Sequence, residues 1–237
     1  MENDVYIRHA KSFRNHWWFK SRVLIFDSIL QNLKLKKNIK ILDYGSGVGS
    51  NIAMLKKYGK VDSLEPNIIA TKFLKKTFKI KIIKKLKKKY NLILLADVIE
   101  HIKNDRKKIK EIFGALNNNG YLILTAPAFQ FLFSKKDESL HHYRRYNSYN
   151  LLSMFNKKEI KIIKLSYFNF ILFFPIAITI LLFKLLRINF IDKVEKTPNF
   201  LINYLMFKIF SFEKYILKYI NFSFGLSILL VVKKIKS

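Results

Sequence analysis

The sequence predicts an α/β fold, a mostly parallel sheet with helices on both faces and a helical insertion near the chain's end. Three observations carry this. Short apolar runs alternate with helix-length patterns from residue 39 onward. The first of these runs passes through an aspartate into a glycine-rich turn, "ILDYGSGVGS". Two later runs, "KVDSLE" and "NLILLAD", also end in carboxylates, so polar groups collect at one edge of the sheet.

Taken in order, residues 5–33 read as helical, with apolar and aromatic residues three and four apart through "WWFKSRVLIFDSIL". The strand "IKILDY" (39–44) precedes a helix near 50–58, and "KVDSLE" (60–65) precedes one near 68–77. "FKIKII" (78–83) follows. "NLILLAD" (91–97) leads to a helix near 105–117, and "GYLILTAP" (120–127) closes that series. "EIKIIKLSY" (159–167) and "GLSILLVVKK" (225–234) supply two further strands. Between them, residues 168–222 open with "FNFILFFPIAITILLFKLLR", as apolar as a membrane span and near its length. Length and pattern divide the chain into an N-terminal helical cap (1–38), an α/β domain (39–167 with 223–237) and an apolar helical insertion (168–222).

Composition narrows the chemistry. The 237 residues include no cysteine, which excludes disulfides, thiolate metal sites and a cysteine nucleophile, and fits a reducing, cytoplasmic setting. The start of the chain has no uninterrupted apolar stretch of the signal-peptide kind. A formal charge of +29 fits a polyanionic partner, nucleic acid or an anionic membrane surface. The abundance of Lys, Ile, Asn and Phe with 7 Gly and 4 Pro also fits an AT-rich coding sequence, so charge alone does not choose. The lysine run 75–90 keeps strand and turn patterning and reads as a solvated face.

Gly45, Gly47 and Gly49 let the backbone turn tightly and approach a ligand, and the helix behind them offers free N–H groups. The spacing is not the dinucleotide fingerprint, because the third glycine comes one residue early and Ser50 stands where a glycine belongs. No Gly-Lys-Ser/Thr follows, so it is not a P-loop. Glu65 lies twenty residues after Gly45 at the end of the next strand, where a carboxylate accepts both hydroxyls of a ribose. "LLADVIEHI" (94–102) adds Asp97 at the same edge.

Together "LDYGSGVG", "LEPN" and "ADVIEHI" resemble the class I S-adenosylmethionine-dependent methyltransferases, over about residues 39–167 plus the final strand. "HWWFKSR" and "TAPAFQFLFSKKDESLHHYRRY" resemble a bacterial subgroup with an aromatic N-terminal helix and a PA…S..D….H.RRY segment. The resemblance implies a Rossmann-like, seven-stranded sheet whose last strand runs antiparallel, with S-adenosylmethionine as cofactor. It implies that Asp43 and the backbone of Gly45, Ser46, Gly47 and Gly49 surround the methionine portion. Glu65, followed by Pro66, takes the ribose, and Asp97 borders the sulfonium end. Trp18 and Arg22 close the pocket, with Arg22 toward the methionine carboxylate. The acidic residue expected after the third strand is replaced by "IIKKLKKKY", which leaves the adenine to backbone groups.

Displacement at a sulfonium needs alignment and proton removal, not a metal, and the five histidines lack ligand spacing with carboxylates. In "SKKDESLHHYRRY", His142 is the candidate base and Asp137 its orienting partner. Arg144, Arg145 and Tyr146 either hold an anionic group or form a salt-bridged lid with Asp137. The acceptor is expected to be the O or N atom of a small or lipid-linked metabolite, such as a glycan or polyprenyl intermediate. RNA methylation is the weaker alternative, since neither a cysteine nor an Asn/Asp-Pro-Pro-aromatic end to the fourth strand is present. A non-catalytic membrane-associated protein with a decayed fold is the other. The insertion is expected to be monotopic, because a single crossing would part the last strand from its sheet. Lys208, Glu213, Lys214 and Lys218 are costly at a bilayer centre, and the amphipathic pattern of the second half suits an interfacial helix with its lysines toward anionic headgroups; burial in the protein or in a dimer interface is the alternative.

Overall fold

The computed structural model describes residues 3–187 and 197–235, so part of the predicted insertion, 188–196, lies outside the described residues. Seven strands form one sheet: β1 (Ile39–Tyr44), β2 (Gly59–Leu64), β3 (Lys81–Ile82), β4 (Tyr90–Ala96), β5 (Leu116–Pro127), β6 (Ile160–Phe168) and β7 (Ser227–Lys234). Their spatial order is β3-β2-β1-β4-β5-β7-β6. The first five are mutually parallel, whereas β7 runs antiparallel to both β5 and β6. The architecture is the Rossmann-like methyltransferase arrangement the sequence predicts. Winding reverses between β1 and β4, and open α/β sheets bind ligands beyond the carboxyl ends of the strands at such a point.

The helices are α1 (Asn3–Ser12), α2 (Trp17–Asn32), α3 (Ile52–Leu55), α4 (Ile68–Phe78), α5 (Asp105–Gly114), α6 (Lys135–Ser139), α7 (Ser148–Leu152), α8 (Phe173–Leu185) and α9 (Phe200–Ile216). Successive strand residues point to opposite faces, so each strand feeds two cores. On one face Ile25, Phe26 and Leu30 of α2 and Phe210 of α9 pack on Ile41, Leu92 and Leu229. On the other, Ile109 and Ile112 of α5 and Leu151 of α7 pack on Leu42, Ile93 and Leu230.

Several element boundaries depart from the sequence reading, among them the helix expected near 50–58, which forms only over Ile52–Leu55. The predicted helix 5–33 is two helices, because His16 turns to an extended conformation and its Nδ1 accepts the Trp18 N–H at 3.2 Å, capping α2. Burial, then the nearby Lys136 and His9, lower the His16 pKa to about 4, which keeps that nitrogen free to accept. The predicted strand 78–83 shrinks to two residues, since α4 runs through Phe78 and ends on the left-handed Lys79. The helix expected near 105–117 stops at Gly114, and β5 starts at Leu116 with Tyr90 opposite it. The short helices α6 and α7 had no periodicity long enough to announce them.

Within the insertion, Pro175 sits in the first turn of α8, where its missing N–H costs nothing. No helix among the described residues is long and apolar enough to cross a membrane. Helix α9 lies along α2, with Trp17 N–H donating to Asn203 Oδ1 at 2.9 Å and Ser28 Oγ to the Lys214 carbonyl at 3.0 Å. Glu213 points inward. Its carboxylate accepts the backbone N–H groups of Asn169, Phe170 and Ile171 at 2.6, 2.8 and 3.2 Å, fixing α9 to the end of β6. Burial raises its pKa to about 7, against the pull of those N–H groups.

Candidate active site

The loop after β1 adopts left-handed backbone at all three of its glycines, with φ of +69° at Gly45, +53° at Gly47 and +84° at Gly49. Their surroundings differ. A Cβ on Gly45 would lie 2.6 Å from a Val98 methyl, and one on Gly49 would lie 2.6 Å from a Leu74 methyl. A Cβ on Gly47 would meet nothing within 4 Å. Gly45 and Gly49 are therefore glycines because protein packs against them, while Gly47 faces open space.

Around this loop the strand ends gather carboxylates. Glu65 Oε2 accepts the Gly47 N–H at 2.8 Å, and Oε1 accepts the Asn67 N–H at 2.9 Å and the Tyr6 hydroxyl at 3.5 Å. Burial raises the Glu65 pKa, and the two backbone donors oppose that. Pro66 is exposed just beyond it. Ser46 is buried and shares a short hydrogen bond with the Ser63 hydroxyl. Asp43 is buried, and its Oδ2 has no hydrogen-bond partner among the described residues. Burial first, then the charge of Glu65, push its pKa up to about 7, with Arg22 acting the other way.

Asp97, at the end of β4, has φ +56°, a conformation aspartate tolerates better than most residues. Its carboxylate accepts from Thr125 Oγ1 at 2.9 Å and pairs with Arg22 Nη1 at 2.6 Å. The Arg22 guanidinium is buried over the rings of Trp18 and Phe26, and its Nε has no hydrogen-bond partner among the described residues. Trp18 in turn stacks on Phe210, at 5.2 Å between ring centres. Helix α2 thus reaches the carboxyl edge of the sheet, and its arginine bonds to Asp97.

The segment after β5 is fixed by ion pairs. Asp137 receives Arg145 through Nε at 2.9 Å and Nη2 at 2.8 Å, and His142 Nδ1 lies 3.0 Å from its Oδ1. Ser134 and Asp137 form a capping box at the start of α6. Burial alone would raise the Asp137 pKa, but the bonds from His142 and Arg145 win and hold it well below the usual carboxylate range. Arg144 pairs with Asp105 at 2.8 Å, and the buried Tyr146 hydroxyl donates to the same carboxylate at 2.9 Å. Arg145 and His142 thus meet Asp137, whereas Arg144 and Tyr146 are tied to Asp105 and not to Asp137.

Sequence reasoning did not single out Glu100. It is fully buried, and neither of its carboxylate oxygens has a hydrogen-bond partner among the described residues. Burial, then repulsion from Asp97, raise its pKa well above the usual range. His16 was likewise unassigned, although "HWWF" contains the capping signal. The Asp97-Val-Ile-Glu100-His101 run held the other clue, but an acidic pair at a strand end is usually solvated, and only the fold buries this one.

The family model for a methyltransferase domain matches residues 16–163. No curated protein matches the chain. Among solved structures, a SAM-dependent methyltransferase from Archaeoglobus fulgidus is 14% identical with a TM-score of 0.57, over 90% of this chain and 94% of that one. The plantazolicin methyltransferase BpumL, in complex with a monoazolic desmethylPZN analog and SAH, is 13% identical with a TM-score of 0.56, over 93% of this chain and 85% of that one. Coclaurine N-methyltransferase bound to N-methylheliamine and SAH is 15% identical with a TM-score of 0.55, over 89% of this chain and 70% of that one. At these identities the likeness concerns the fold.

Proposed function

The chain belongs to the methyltransferase-domain family, and from that premise we propose that it transfers a methyl group from S-adenosylmethionine to an oxygen or nitrogen of a small or lipid-linked acceptor. The observation that carries the cofactor assignment is Gly47, the glycine of its loop whose open side faces no protein atom. The residues fit the group: the orphaned Asp43 oxygen and Arg22 Nε are buried polar atoms at the same edge. In this reading the backbone of Gly45, Ser46 and Gly47 and the Asp43 carboxylate hold the methionine portion. Glu65 takes the ribose hydroxyls, while Arg22 and Trp18 close the site over Asp97. Gly49 serves by letting Leu74 and Phe78 pack against the loop.

The bound sulfonium supplies a methyl group already activated by its positive charge. The protein's part is to align the acceptor in line with it and to draw off the acceptor's proton. The Asp137–His142 pair marks the pole at which that proton leaves. Residues 1–38 and 168–222 act as a cap and an acceptor-facing insertion around the domain formed by 39–167 and 223–237. The "HWWFKSR" and "PA…RRY" segments support a place in the bacterial subgroup they resemble.

The lipid-linked acceptor rests on the surface of α8 and α9. Phe174, Ile178, Leu182 and Leu185 are exposed along α8, and Leu201, Leu205 and Phe212 along α9, with Lys208, Lys214 and Lys218 on or just beyond the latter. Exposed apolar residues beside cations suit an interfacial helix at an anionic membrane surface. Incubating cell extracts with methyl-labelled S-adenosylmethionine and separating lipid from aqueous phases tests this. Label in the lipid phase that depends on the protein supports the reading. Label confined to RNA would replace it.

A further inference from the structure

The unpartnered Glu100 does not stand alone. Donor atoms of Glu100, His101 and His142, one from each, lie within 4.8 Å of one another. The two imidazole rings meet edge to face with centres 4.6 Å apart. The cluster is held from both sides of the crevice: Tyr143 N–H donates to the Glu100 carbonyl at 2.8 Å, and the His142 N–H to the Asp137 carbonyl at 2.9 Å. The His142 imidazole is also oriented by a further group. His142 Nδ1 faces the Asp137 carboxylate, which directs its Nε2 away from that carboxylate.

We propose that Glu100, His101 and His142 bind a divalent first-row transition cation at the acceptor end of the crevice. Two imidazoles and one carboxylate are the ligand set of zinc, manganese and iron sites that leave positions open, and are a poorer match for magnesium. Bonds of about 2.1 Å place tetrahedral donors about 3.4 Å apart, so rotation of the two rings closes the set around one ion. A cation there gives a direct partner to the buried carboxylate, whose oxygens have no hydrogen-bond partner among the described residues. It lies beside Asp97, which borders the proposed cofactor site. The consequence for catalysis rests on the methyl-transfer reading: with the ion bound, His142 would be a ligand and not the base, and an acceptor hydroxyl at the open position would give its proton to water more readily, its oxygen forming the new bond to the methyl carbon as the sulfur–methyl bond breaks and S-adenosylhomocysteine leaves. The ligand spacing is invisible in the sequence because His142 comes from the lid segment, far along the chain from Glu100 and His101.

The test uses the full chain freed of metal by dialysis against a chelator. With the five histidines isotopically labelled, Zn²⁺ should move the ring signals of two, His101 and His142, and saturate at one ion per chain. Co²⁺ should give the visible absorption of a low-coordinate nitrogen and oxygen site. Glu100→Gln and His142→Ala should each weaken Zn²⁺ binding at least about 10-fold, with folding checked by circular dichroism, while His141→Asn leaves it unchanged. No saturable binding to the parent chain, or shifts at His9, His16 or His141 instead, would overturn the site whether or not the variants fold. Titration with S-adenosylmethionine runs alongside. Cofactor binding without cation binding ends this inference and leaves the proposed function standing, whereas loss of cofactor binding ends the latter.

Discussion

Replacing Gly47 by asparagine separates ligand contact from folding. All three loop glycines have positive φ, but only at Gly47 is the space beside the backbone free of protein atoms. Asparagine enters left-handed backbone more easily than other side chains, so the fold should lose no more than about 1 kcal/mol. Gly45→Ala is the contrast. It combines about 1–2 kcal/mol of backbone strain with about 1–3 kcal/mol of overpacking against the Val98 methyls, and should unfold at visibly lower denaturant. The asparagine side chain would project into the space assigned to the cofactor. Isothermal titration should then show S-adenosylmethionine affinity reduced about 100-fold, equivalent to about 2.8 kcal/mol, in a protein that unfolds almost like the parent. A Gly47→Asn protein that binds within threefold of the parent would refute the placement of the cofactor over this loop.

Three further outcomes follow from the same structure. Glu213→Ala removes the acceptor for three backbone N–H groups and should cost about 2–4 kcal/mol in urea unfolding; an unchanged midpoint would mean that α9 is not fixed by this carboxylate. The folded-state pKa of His16 lies below its unfolded value, so its contribution is present above about 6.5 and is lost as pH falls through about 4. His16→Asn, which keeps a capping side chain, should flatten that acid limb of the stability profile, and a profile identical to the parent's would dissociate the limb from His16. The full chain should float with anionic liposomes, and replacing the exposed Leu182 and Leu185 by lysine should leave it in the dense fraction; recovery of the parent only in solution would count against the membrane-facing role of α8.

The sheet was legible because its strands are nearly continuous apolar runs bounded by turn residues, and β7 could be placed only in the sheet its sequence belongs to. The loop glycines and the strand-end acids Asp43, Glu65 and Asp97 were legible for the same reason, since they sit where strands stop. Partner choice was not. Arg22 meets Asp97, and Arg144 meets Asp105, because helices and lid are brought to the crevice by tertiary packing that no local spacing encodes. Glu213 read as a solvent- or headgroup-facing charge on an amphipathic helix, and became a buried cap because β6 ends beneath it. Glu100 and His101 follow Asp97 in one short run, and only the 134–146 segment brings His142 beside them.

The most direct test of cofactor binding at the β1 loop uses the chain's seven glycines. With glycine alone labelled with ¹⁵N, the parent protein gives a small set of amide signals that single substitutions can assign. Saturating S-adenosylmethionine should move the amides of Gly45, Gly47 and Gly49 and leave those of Gly114, Gly120 and Gly225 in place. Unmoved loop amides, or shifts confined to the other glycines, would contradict the account.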